Sequence, residues 1–197
     1  MKLRSLVLAL LVAAGASVAA RAQGALYVSP IAVRVSNSTN DTSTYSFLGS
    51  GTTSRMFYGV QFGGFYDLPH DYQPKSIELG IDMRDAVLHG NNALLNSFLV
   101  GPRIAFAPFT RPIHLYVEPI VGAGSTRAPE TSIKITKVQY GVYAGADWEF
   151  SKHVTWRVVE VGYSSLDTAG AGTIGLTASI PSSTLINFSS GLTFRLP

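Results

Sequence analysis

The chain contains no cysteine, which excludes a disulfide framework and any cysteine-ligated metal site. It has no apolar run approaching the ~20 residues that a membrane-spanning helix needs. No segment sustains apolar spacing of three and four for the length of a convincing helix either. Charge is scarce, with Asp, Glu, Lys and Arg making up 14% of the residues, and the formal excess of +3 is concentrated at the N-terminus. Lys2 and Arg4 form a basic start, Leu6 to Gly15 is apolar, and Ala20-Arg21-Ala22 has the small-residue form of a cleavage site. Residues 1–22 therefore read as a secretory signal peptide, too short in its apolar part to serve as an anchor, and residues 23–197 as one domain. Without Lys2, Arg4 and Arg21, the 15 basic residues fall to 12, equal to the 12 acidic ones. A neutral domain gives no footing to nucleic-acid binding, which needs a basic patch.

What the chain does have is glycine, aromatics and turn clusters. These divide the domain into strand-sized pieces near residues 25–35, 55–68, 75–85, 96–107, 112–124, 137–150, 153–164 and 184–196. The joins alternate in character. Longer polar connections follow the first, third, fifth and seventh segments: Ser36 to Ser54, the stretch around His89-Gly90-Asn91-Asn92, Arg127 to Glu130, and Ser165 to Ser183. Shorter turns follow the second, fourth and sixth. This predicts an up-and-down antiparallel barrel of eight strands, with both termini at the short-turn end.

Within the segments apolar side chains fall on one face and polar ones on the other. Ile77, Leu79, Ile81 and Met83 alternate with Glu78, Gly80, Asp82 and Arg84; Tyr140, Val142 and Trp148 alternate with Gly141, Tyr143, Asp147 and Glu149. Alternation alone also fits a soluble barrel with an apolar interior. Glycine sits mainly on the polar face, where small side chains relieve crowding inside a narrow cylinder, and bulky aromatics sit on the apolar face. The polar face therefore points inward and the apolar face outward, to lipid. Two places resist this pattern. Arg157 and Glu160 fall on opposite faces of a regular strand, so a β-bulge between them is expected to turn both inward. Pro30 is expected to mark a second irregularity, because it cannot donate to a ladder.

The last residues, Ser189-Ser190-Gly191-Leu192-Thr193-Phe194-Arg195-Leu196, read polar, any, Gly, any, any, apolar, any, apolar. With the strand count and topology, this resembles the small eight-stranded outer-membrane β-barrels of Gram-negative bacteria, such as the transmembrane domain of outer membrane protein A. The resemblance covers Ala25 to Leu196. It implies an all-β transmembrane barrel with a polar, side-chain-filled lumen, located in the outer membrane with periplasmic termini. It also implies lipid contact and insertion by the barrel-assembly machinery, with Ser189, Gly191, Phe194 and Leu196 as the assembly signal. Many members end on an aromatic residue, whereas this chain ends on Pro197.

The expected lumen network comprises Asp67, Glu78, Asp82, Arg84, Arg103, Glu118, Asp147, Glu149, Arg157 and Arg195. Both signs occur in comparable number, so mutual pairing is the simplest arrangement. The four histidines, His70, His89, His114 and His153, are scattered and suggest neither a metal site nor a catalytic Ser-His pair; no cofactor is expected. The expected role is that of a monomeric, non-enzymatic anchor that displays its outer loops to an extracellular or envelope partner. A narrow porin-like path and a lipid A-modifying enzyme are the alternatives. Tyr45, Phe47 and Leu48 in the first outer loop stand out as candidate contacts, and trimming residues 38–52 is expected to spare folding.

Overall fold

The structure, a computed structural model, describes residues 24–38, 40, 46–68, 77–90, 92–106, 112–129, 134–167 and 182–196. The signal segment, Tyr45, His70 and Pro197 lie outside the described residues. Eight strands, β1 (Gly24–Asn37), β2 (Ser54–Asp67), β3 (Ile77–Gly90), β4 (Ala93–Phe106), β5 (Ile113–Arg127), β6 (Lys134–Glu149), β7 (Val154–Asp167) and β8 (Ser182–Arg195), pair antiparallel in sequence order. β8 returns to β1, so the sheet closes and every strand has two neighbours.

The pairing fixes the shape of the cylinder. Following partners once around from Leu26 through Gly64, Met83, Val100, Val121, Tyr140, Ser165 and Thr184 returns to β1 at Ser36, ten residues up. That stagger, over eight strands, tilts them by about 40° and leaves an interior that side chains can fill.

Several strands run farther than the sequence suggested. The stretch around His89 is strand, not loop: Gly90 pairs with Ala93, so only two residues make the turn. Asn92 has φ 63°, a left-handed conformation that asparagine tolerates in tight hairpins. Pro30 does not produce a bulge. The β1–β2 register runs unbroken through Pro30↔Val60, and the β1–β8 register is the same on both sides of residues 29 and 30. Its side chain points outward, and the lost N–H costs part of one ladder without displacing the strand.

The bulge between Arg157 and Glu160 is present. Against β6 the partners step from Ala146↔Val159 to Asp147↔Arg157, so Val158 is the extra residue. The β7–β8 register shifts at the same place. Arg157 and Glu160 are consequently both buried inside.

The outer surface of the lower and middle barrel is an apolar belt. Phe62, Phe98, Val121, Val142 and Phe188 are among many large apolar side chains left exposed. A surface of this extent is untenable in water and apt for hydrocarbon. Trp148, Phe150 and Trp156 stack on one another at its lower edge, with ring centroids 6.1 to 6.5 Å apart. Toward the end of the barrel away from the termini the polarity of the alternation inverts. On β1, Leu26 and Val28 point out while Tyr27 and Ser29 point in; farther along, Ile31, Val33 and Val35 point in while Arg34 and Ser36 point out. β6 and β8 do the same, with Ile135 and Leu185 inside and Lys134, Thr136 and Thr184 outside. The walls therefore continue above the belt as a sheet with water outside and an apolar core within.

That core holds Ile31, Val33, Val35, Phe57, Leu88, Leu95, Leu166 and Leu185. Phe47 and Leu48 enter it from the β1–β2 connection and are fully buried. Phe47 stacks on Phe57 at 4.9 Å. A turn closed by Gly49 N–H to Ser46 O at 3.0 Å and Thr52 N–H to Gly49 O at 3.1 Å drops them into the mouth. Gly49, at φ 93°, supplies a backbone conformation that other residues resist. The expectation that Phe47 and Leu48 face a partner is therefore overturned, because an apolar pocket at hand outweighs exposure to water. Loss of this segment would remove Phe47 and Leu48 from the core, so trimming residues 38–52 is now expected to cost stability, against the expectation from sequence. Tyr45 lies outside the described residues.

Deleting Val158 should heal the β7 ladder while keeping Arg157 and Glu160 inward, so the variant should still refold in detergent and migrate as a heat-modifiable barrel. Deleting Val117, in the regular part of β5, reverses the faces beyond it and should abolish that behaviour.

Candidate functional site

Below the apolar core the lumen is occupied by one ion-paired cluster to which all eight strands contribute. Arg84 on β3 donates through Nε to Asp82 Oδ1 at 2.9 Å, through Nη1 to Glu160 Oε2 at 3.1 Å, and through Nη2 to Glu118. Arg103 on β4 donates to Glu118 Oε1 at 2.8 Å and to Asp147 Oδ2 at 2.9 Å. Arg157 on β7 donates to Glu160 Oε2 at 3.1 Å and to Asp147 Oδ1 at 3.4 Å. Three guanidinium groups thus share four carboxylates, and each arginine bridges at least two acids. In a space closed to water such pairs resist separation, since removing one member leaves an uncompensated charge.

Glu160 is the hub. Besides its two arginines it accepts hydrogen bonds from Gln61 Nε2 at 2.9 Å, Tyr116 OH at 2.8 Å and Ser189 Oγ at 3.0 Å. Tyr27 OH donates to Asp82 Oδ1 at 3.0 Å. Aromatic faces fill the gaps between the planar groups. Arg103 lies over Phe65 at 4.3 Å and Tyr116 at 4.0 Å; Arg84 lies over Tyr143 at 4.3 Å and Arg157 over Tyr27 at 4.1 Å. Cation–π attraction is strongest where water is excluded.

The inward glycines seat these rings. Tyr27 pairs across strands with Gly63, Tyr116 with Gly145, and Tyr143 with Gly162. A Cβ at any of the three would stand within 2.4 to 2.6 Å of the facing tyrosine. Glycine on the inner wall thus lets each ring lie flat against the neighbouring strand and present its face to an arginine. Between this cluster and the apolar core, Ser97 Oγ donates to Gln139 Oε1 at 2.7 Å, and Gln139 Nε2 to Ser164 Oγ at 3.1 Å, tying β4, β6 and β7.

Of the residues singled out from sequence, Asp82, Arg84, Arg103, Glu118, Asp147 and Arg157 meet in this cluster. Glu78, Glu149 and Arg195 stand at the lower strand ends, as does Asp67, which feels the charge of Arg103 from the cluster and of Arg195. There His114 Nε2 lies 3.8 Å from Glu149 Oε2. Sequence reasoning missed Glu160 as the hub, although the broken alternation at Arg157-Val158-Val159-Glu160 carried the signal. It also missed the tyrosines, which alternation alone assigns to the inner face without a partner. The four C-terminal residues divide. Ser189 is buried against Glu160, and Gly191 faces inward where a Cβ would meet Val28 O at 2.3 Å. Phe194 and Leu196 point outward and are exposed. His89 lies on the outer face of β3, opposite Tyr58 and Leu94. Among the described residues no group of His, Cys, Asp and Glu is arranged to hold a metal ion.

No family model and no curated protein matches the chain. Solved structures do. Ail, the attachment invasion locus protein of Yersinia pestis, aligns over 89% of this chain and 99% of its own, at 10% identity and a TM-score of 0.53. Neisserial surface protein A aligns over 88% and 99% at 13% identity, with a TM-score of 0.49. The N-terminal β-barrel domain of Pseudomonas aeruginosa OprF aligns over 88% and 100% at 12% identity, with a TM-score of 0.41. The chain has the fold of the small eight-stranded outer-membrane β-barrels.

Replacing Glu160 by Ala strands two buried arginines and should destabilise the barrel by about 3–5 kcal/mol in urea unfolding from lipid vesicles. Replacing Glu149, at the half-exposed lower end, should cost under ~1 kcal/mol in the same assay.

Proposed function

We propose that this protein is a closed, non-conducting outer-membrane scaffold that holds its outer connections clear of the bilayer for contact with an extracellular or envelope partner. One observation carries the reading: above the lipid belt the walls continue around their own apolar core, stoppered by Phe47 and Leu48. A barrel serving only to anchor has no use for such an extension. A barrel serving to conduct has no use for an apolar stopper stacked above an ion-paired cluster. The extension gives a rigid platform to the two longest outer connections, residues 38–53 and 168–181, and loops on a rigid scaffold are where binding usually resides.

In this reading residues 1–22 are removed on export, and both termini face the periplasm. The even strand count and the short joins at the terminal end support that orientation. Phe194 and Leu196, exposed on the outer face of the last strand, are available to the barrel-assembly machinery, whereas Ser189 and Gly191 serve the packing of the lumen.

An epitope inserted between residues 168 and 181 should be stained on intact cells, and one placed after residue 23 only once the outer membrane is permeabilised; the opposite pattern overturns the orientation. In planar bilayers the native protein should show no sustained conductance. Phe47→Ala combined with Glu160→Ala, which opens both closures, should produce current bursts. Steady current through the native protein would replace the scaffold with a pore.

A further inference from the structure

The outer face of the belt carries one charged-type side chain among the described residues, and it has no counterpart on the chain. Asp85 lies on the outward face of β3 between Met83 and Val87, both exposed. Across the ladders it is paired with Phe62 on β2 and Phe98 on β4, whose rings are about half exposed. The other outward ionisable groups, Arg34, His89, Arg127, Lys134 and Asp167, all lie beyond the point where the strands change polarity. On β3 the inner face turns apolar at Ala86 and the outer face turns polar at His89, so Val87 alone separates Asp85 from that boundary, at about 5 Å of barrel height per outward position. Aspartate is too short to reach the headgroups from there.

The backbone N–H of Ala86 is the polar group beside the carboxyl. A carboxyl has about four acceptor sites, or a proton to give as well when neutral, so one N–H leaves most of its capacity unmet. From β2, Val60, Phe62 and Gly64 face it, and from β4, Asn96, Phe98 and Val100; none is titratable or charged. An ionisable group held in hydrocarbon calls for a partner that enters the bilayer with it.

We infer that two copies of this chain associate in the membrane through the outer face of β2–β4, with the two Asp85 carboxyls hydrogen-bonded to each other across a two-fold axis. The chemistry favours a second copy over an unlike partner because a neutral carboxylic acid is self-complementary: each donates one hydrogen bond and accepts one, and no charge enters the lipid. The flanking rings suit the same symmetry. A two-fold axis along the membrane normal sets Phe62 of one copy against Phe98 of the other on both sides of the acid pair, an isologous contact in which the same patch serves both partners. This step goes beyond the proposed scaffold and does not depend on its loops or orientation.

Sedimentation equilibrium of the full-length mature chain, refolded in density-matched detergent, tests the inference with heat-modifiable migration as the check on folding. At about pH 4 the native protein should be dimeric, and at about pH 9 its association should weaken about tenfold or more, as expected for losing two hydrogen bonds. Asp85→Leu removes a polar group from the lipid face, so it should fold and stay monomeric at both pH values. Asp85→Asn, whose amide both donates and accepts, should dimerise independently of pH, which separates this site from the titration of the lumen acids. A native protein that is monomeric at about pH 4, an Asp85→Leu variant that dimerises like the native chain, or a native dimer equally tight at both pH values overturns the inference. An unlike partner held by Asp85 would show as the first of these.

Discussion

In hydrocarbon an unpaired backbone N–H or C=O costs several kcal/mol, and that cost sets the terms for everything else in this molecule. Closure of the sheet from β8 to β1 is the solution, because it leaves no edge. Eight strands staggered by ten residues make a cylinder narrow enough that side chains must fill it. Once the outer face is given over to apolar residues, the interior receives what the lipid will not accept. The arginines and carboxylates are inside because of where they cannot be. Their mutual pairing follows from the absence of bulk water there.

The ion-paired cluster then constrains the wall that encloses it. Glu160 can serve as hub because Val158 is surplus to the β7 ladder and returns the strand to register with both charges inward. Tyr27, Tyr116 and Tyr143 can shield the arginines because Gly63, Gly145 and Gly162 give them room on the next strand. Each of these backbone features would weaken a sheet in isolation. Here each is compensated by a contact with a buried charge, so strand, bulge and cluster are stable only together.

Much of this was legible in the sequence because alternation has period two and lipid enforces it strictly. The eight strands, their order and the inward face of the lower barrel follow from that rule. The bulge was legible for the same reason, since Arg157 and Glu160 break a pattern that the membrane does not allow to be broken. The rest was hidden where the enforcing solvent changes. Beyond the belt, Ile31, Val33 and Val35 point inward on the same strand whose Leu26 and Val28 point outward. A reading that assumes one solvent along the whole strand cannot place them. Phe47 and Leu48 lie in a polar connection, where an apolar pair looks the same whether it is buried or presented. The two-residue hairpin at Asn92 reads as a loop because its turn residues also suit one.

The inversion of polarity has a use of its own. On each strand it marks the level at which lipid gives way to water, and these marks place the belt without reference to any bilayer. Measured against them, outward residues sort into those that match their solvent and those that do not. Arg34, Arg127, Lys134 and Asp167 match theirs. Asp85 is the exception, in a chain that otherwise went to the length of a bulge to keep charge out of the lipid. A sequence that enforces the rule so consistently elsewhere, and departs from it on a surface lined with phenylalanine, is specifying an acceptor that something in the bilayer must meet.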